Sequence, residues 1–126
     1  MITCHVRYVL DLQKLPAFEE YGRLWMSLIT RLGGTHLGYF LPLGADAARK
    51  GPVSFPGVGS EGPDNVAVAL YSFPDWEAYE RYRREAPKRP ECARATRIAN
   101  ETKCFSSYER TFLAALPGAG SSKNEP

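Results

Sequence analysis

Residues 65–73 read NVAVALYSF. Small and β-branched apolar residues fill the stretch and no charge interrupts it, so it predicts a strand. A strand of an antiparallel sheet with one wet face alternates apolar and polar residues. This one does not, and the pattern therefore predicts cover on both faces. Helices provide one cover. The other, in a chain of 126 residues, is most economically the same sheet of a second copy.

Outward toward the N-terminus, residues 2–10, ITCHVRYVL, alternate. Ile2, Cys4, Val6, Tyr8 and Leu10 fall on one face, with Thr3, His5, Arg7 and Val9 on the other. This is a second strand, and Arg7 keeps its second face from being plain core. A helix follows, opening near Pro16, where a missing N–H costs nothing. Phe18, Tyr21, Trp25, Leu28, Ile29 and Leu32 form its apolar stripe, and Gly33 and Gly34 end it. Residues 35–42, THLGYFLP, predict another strand, with His36, Gly38 and Phe40 on one face and Leu37, Tyr39 and Leu41 on the other. Pro42 cannot donate to a ladder, so this strand stops there or lies at an edge. Residues 43–64 are rich in glycine and proline and predict a long, mobile loop, with Val53, Phe55 and Val58 available for docking.

Outward toward the C-terminus, Ser72 and Asp75 read as a capping box around Pro74. The helix after them carries Trp76, Tyr79, Tyr82 and Ala86 on one stripe, with Glu77–Arg81 and Glu80–Arg84 as i,i+4 pairs. Pro87 and Pro90 break it, residues 91–102 read as a further helical piece, and 104–113 as the last strand. The domain then spans residues 1–114, and 115–126 form a polar tail expected to be disordered. The order β-α-β-β-α-(α)-β with right-handed crossovers predicts an α+β, ferredoxin-like fold. Its four-stranded antiparallel sheet would carry helices on one face and pair with a second subunit through the other.

Composition narrows the function. Sixteen basic against fourteen acidic residues leave a net charge of +2, without the clustered basic footprint of a nucleic-acid or membrane-surface protein. Arg81, Arg83, Arg84, Lys88 and Arg89 are interrupted by Glu80 and Glu85 and read as a solvated helix face. The N-terminal segment lacks the pattern of a secretory signal, and no apolar run reaches the roughly 20 residues that span a bilayer. Cys4, Cys92 and Cys104 are odd in number and lack a C-x-x-C spacing, which suits reduced thiols in the cytoplasm. There is no phosphate loop, nucleotide fingerprint or nucleophile elbow.

As a set, ITCHVRYVLD at 2–11, KLPAFEEYGRLW at 14–25, GGTHLGYFLP at 33–42, ALYSFPDWEAYERYR at 69–83 and TKCFSSYERTF at 102–112 resemble a bacterial member of the NIPSNAP family. The resemblance covers nearly all of residues 2–113. It implies the dimeric α+β barrel fold, in agreement with the element order. It also implies a second histidine at the position of Leu37 and a shorter connection over 43–64, and this chain has neither. It implies no particular activity.

The candidate chemistry is sparse. His36 titrates near neutrality and is the candidate catalytic base, against the alternative of a hydrogen-bonded sheet histidine. Tyr39, Phe40, Tyr71, Tyr79 and Tyr108 are the candidate ligand-binding aromatics, with core packing as the alternative, above all for Tyr79 and Trp76. Arg7 and Glu109 are the candidate ion pair of the dimer interface. No metal or cofactor is expected, since Cys4, His5, His36, Cys92 and Cys104 show no ligand spacing. Two functions follow. One is a homodimer that binds a small aromatic or lipophilic molecule between sheet and helices, with oxygenation or isomerisation free of metal and cofactor by analogy of fold. The other is a non-enzymatic protein-interaction module that uses the 43–64 loop.

Overall fold

A computed structural model describes residues 1–44, 47, 49 and 51–118. Residues 119–126 of the tail expected over 115–126, and residues 45, 46, 48 and 50 of the long loop, lie outside the described residues. Four strands and three helices alternate as β1 (Ile2–Leu10), α1 (Leu15–Arg31), β2 (Thr35–Phe40), β3 (Val66–Phe73), α2 (Trp76–Glu85), α3 (Pro90–Thr102) and β4 (Phe105–Leu113). The sheet order is β2-β3-β1-β4 and every neighbouring pair is antiparallel. This is the ferredoxin-like arrangement that the element order predicts.

The alternation of β1 and β3 decides which side the helices take. Cys4, Val6, Tyr8 and Leu10 are buried, as are Ala67, Ala69, Tyr71 and Phe73. Phe18, Tyr21, Leu28 and Ile29 of α1 and Tyr79 and Tyr82 of α2 close over them, and the Tyr8 and Phe18 rings meet edge-on at 4.9 Å. On the opposite face Val9, Val66, Val68 and Leu70 are only half-buried. The helix-side cover predicted for β3 is therefore present, and its other face stays open within one chain. Helix α3 packs along α1, tied by Arg31–Glu91 at 2.5 Å and by an Arg94–Glu20 pair. The turn from α1 into β2 needs glycine, since a Cβ on Gly34 would stand 2.7 Å from Ile29 and 2.8 Å from Phe73.

Three local readings are corrected. Strand β2 carries a bulge between His36 and Gly38, so His36 pairs with Tyr71 whereas Gly38 pairs with Leu70. The extra residue breaks the two-residue period. His36 consequently shares the helix-side face with Tyr39, and Gly38 and Phe40 lie on the open face. Asp75 alone caps α2, accepting from the Ala78 N–H at 2.8 Å, while Ser72 belongs to β3 and is buried. Trp76 is half exposed, with its ring edge-on to Phe112 at 4.9 Å, and is not plain core. Between β2 and β3, residues 51–64 are exposed and hold no regular element beyond an isolated bridge from Pro56 to Gly59. Among the described residues no helix is long and apolar enough to cross a membrane.

Candidate functional site

The helices do not close fully onto the sheet. A cleft of about 730 Å³ remains between the helix-side face of β1, β3 and β4 and the three helices. Its floor is buried: Val6 and Tyr8 of β1, Tyr71 of β3, Tyr21 and Ile29 of α1, and Tyr79 and Tyr82 of α2. Its rim is exposed and comes mainly from α3 and β4, with Thr96, Asn100, Ser106 and Tyr108, joined by the cations Arg83, Lys103 and Arg110. Tyr39 and the indole of Trp25 complete the wall. All seven tyrosines of the chain line this one space.

Period-two geometry explains the concentration. The register pairs Val6 with Arg110 and Tyr8 with Tyr108, so the helix-side face of β4 presents Tyr108, Arg110 and Phe112 in succession. Tyr79 and Tyr82 are three apart on α2 and thus face the sheet together. The Tyr8 hydroxyl stands 3.4 Å from the hydroxyls of both Tyr21 and Tyr39. Across the cleft, Arg110 donates to the Tyr79 hydroxyl at 3.0 Å and lies over the Phe112 ring at 4.7 Å.

Burial sets the protonation of these groups. Desolvation pushes the Tyr8, Tyr21, Tyr39, Tyr71 and Tyr82 phenols well above the ordinary tyrosine value. It also raises Tyr79, with the Arg110 and Arg83 charges opposing the rise. The Cys4 thiol beside Tyr71 is pushed up to about 11 by burial, against the pull of Arg110. At neutral pH the wall is therefore a set of neutral O–H groups on aromatic rings. It offers hydrogen bonds and ring contacts, and no base or thiolate.

The sequence-predicted residues divide accordingly. Tyr39, Tyr71, Tyr79 and Tyr108 come together at the cleft. Phe40 does not, because the bulge turns it to the open face, where it is 53% exposed. His36 lies beside the cleft and not in its lining. Its ring stacks on Tyr39 with centroids 5.4 Å apart and planes 4° from parallel. Its Nε2 is buried without a hydrogen-bond partner, and burial lowers its pKa. Gly38, which the two-residue period puts on the same face as His36, is on the other face. Arg7 and Glu109 do stand opposite each other in register on the open face. No salt bridge joins them among the described residues of the single chain. Among the described residues no cluster of three His, Cys, Asp or Glu is placed to hold a metal ion.

Sequence reading misses Tyr8, Tyr21, Tyr82 and Arg110 as a group. Alternation in β4 alone puts Arg110 between Tyr108 and Phe112 on the covered side, an unusual place for a cation, and that is the signal that could have found it.

The sequence profile of the NIPSNAP family matches residues 5–119. A structure of an uncharacterized NIPSNAP-like domain protein from Burkholderia xenovorans superposes with a TM-score of 0.62 at 21% identity, covering 95% of this chain and 87% of that one. A NIPSNAP family protein of unknown function from Agrobacterium tumefaciens gives 0.62 at 15% identity, covering 90% and 86%. A point mutant of SnoaB, a cofactor-independent oxygenase from Streptomyces nogalater, gives 0.53 at 14% identity, covering 94% and 95%. At these identities the likeness is one of fold. No curated protein matches the sequence.

Proposed function

This chain belongs to the NIPSNAP family, and from that premise we propose that it is a homodimer whose cleft binds a small, planar, aromatic or lipophilic molecule. One observation carries the reading: every tyrosine of the chain converges on a single open space of about 730 Å³ between sheet and helices. Pockets of roughly 300–1,000 Å³ with aromatic walls and a few convergent polar groups suit drug-sized ligands. Neutral phenols on the wall select a flat ring system that carries hydrogen-bond acceptors. Tyr39, Tyr71, Tyr79 and Tyr108 are the contacts named from sequence, with Tyr8, Tyr21 and Tyr82 beside them. The half-buried Val66, Val68 and Leu70 support pairing through the open face, with Arg7 and Glu109 in that interface. The likeness of fold to a cofactor-independent oxygenase supports oxygenation as the class of chemistry, with isomerisation the alternative by analogy of fold alone. His36 enters such a reaction only as a neutral base behind Tyr39. The free thiols Cys4, Cys92 and Cys104 support a cytoplasmic setting.

Trp25 lines the cleft and Trp76 does not, which provides the test. Titration with a panel of planar phenols and quinones is expected to quench tryptophan emission saturably. Trp25→Phe should abolish the quenching and Trp76→Phe should retain it. Absence of saturable quenching across the panel defeats the reading. A second reading, a protein-interaction module, draws on the loop, where Phe55 and Val58 are 78% and 88% exposed. It gains if the panel fails while a loop deletion abolishes capture of a protein partner.

A further inference from the structure

Three cations stand on the rim of the cleft, and no carboxylate among the described residues lines it. Arg83 comes from α2, Lys103 from the left-handed C-cap of α3, and Arg110 from β4. None makes a salt bridge among the described residues, although Arg23, Arg31, Lys88 and Arg94 elsewhere on the surface each have one. The acid nearest Arg83 in sequence, Glu85, is engaged by Lys88. Glu101, two residues before Lys103, is not part of the lining. Arg110 is aimed rather than free: its bond to the Tyr79 hydroxyl and its place over Phe112 hold the guanidinium against the cleft. Arg83 and Arg110 both act electrostatically on Tyr71 and Tyr79 at the floor. Convergent cations without counter-charges, beside desolvated rings, form an anion site with an aromatic wall attached.

We propose that the ligand of this cleft is an aromatic anion, a carboxylate or sulfonate on a planar ring system. Its rings lie among the tyrosines and its charged group meets Arg110 and Arg83, with Lys103 adding to the field. This rests on the cleft reading above and sharpens it to a charge class. The test uses two dyes that differ in one group, 8-anilinonaphthalene-1-sulfonate and the uncharged N-phenyl-1-naphthylamine. The expected result is that the sulfonate binds about tenfold more tightly, the scale of a hydrogen bond to a charged group. Arg110→Gln should remove that preference, lowering the affinity for the sulfonate far more than that for the neutral dye. Arg81→Gln, on the same helix as Arg83 but outside the lining, should change neither. Ala99→Trp, which fills the cleft from α3, should abolish both dyes. Equal binding of the two dyes, or a preference that survives Arg110→Gln, overturns the anion inference and leaves the cleft standing. Binding of neither dye, or binding that survives Ala99→Trp, overturns the cleft reading and the anion inference with it.

Discussion

The two faces of one sheet obey different rules. On the helix side, Ala67, Ala69, Tyr71 and Phe73 are buried among helices of the same chain. One residue along on the same strand, Val66, Val68 and Leu70 look outward and are only half-buried. Their composition is as apolar as that of the buried face. Solvent contact on one side of β3 is thus not what the strand is built for. The helix side is finished within the chain except for its cleft, and the half-buried open side is the face we propose to pair with a second copy.

Adjacent substitutions should separate the two faces most sharply. Ala69→Arg puts an unpaired charge into a fully buried position and is expected to unfold the protein, a cost above about 4 kcal/mol. Val68→Arg puts the same charge on the open face. It should keep a native far-ultraviolet dichroism spectrum and halve the mass in sedimentation. If Val68→Arg leaves the mass of the wild type unchanged, the open face is no dimer interface and the contrast fails.

Gly38→Val is the next largest effect. Gly38 has φ +145°, a conformation that a branched residue rarely adopts, and a Cβ there would meet the Phe40 ring at 3.0 Å. We expect a loss of about 1–3 kcal/mol in denaturant unfolding. Because Gly38 is on the open face, quenching of Trp25 by ligands should be unaffected. A loss of ligand binding with no loss of stability would put Gly38 back beside the cleft.

The same bulge marks the limit of what the sequence discloses. β1, β3 and the apolar stripes of α1 and α2 are legible because a single period runs through each without interruption. Their faces therefore follow by counting. In β2 the count fails at Leu37, and nothing in THLGYF announces an extra residue apart from a glycine, which has several uses in a strand. Every inference about His36 that uses the period beyond that point goes to the wrong face, and Phe40 with it. The cleft is half legible. Tyr39, Tyr71, Tyr79 and Tyr108 can each be nominated singly. Their convergence with Tyr8, Tyr21 and Arg110 depends on strand order and register, which local pattern does not encode.

The loop offers a smaller effect. Residues 51–64 are exposed. Deleting about residues 46–60 shortens the connection roughly threefold, and the gain in loop-closure entropy is at most about 1 kcal/mol. We expect an unchanged sedimentation mass, unchanged ligand quenching and a slightly raised melting temperature. Failure of the deletion variant to fold would make the loop a structural element.

The smallest effect belongs to His36 and separates the two faces by pH. Its ring lies on the covered side against Tyr39, and burial lowers its pKa below the ordinary value of 6.5. In the unfolded chain the imidazole takes up a proton near 6.5, whereas the folded protein resists protonation until a lower pH. Between those values the unfolded state binds more protons, so stability rises with pH. The contribution is complete above about pH 6.5 and declines as the pH falls from there toward the folded pKa. His36→Leu removes the titration and also the buried, unpartnered Nε2. It should leave the melting temperature at about pH 8 nearly unchanged and flatten its fall below about pH 6.5 relative to the parent. If the His36→Leu slope matches the parent, burial does not shift the imidazole, and its assignment to the covered side is wrong.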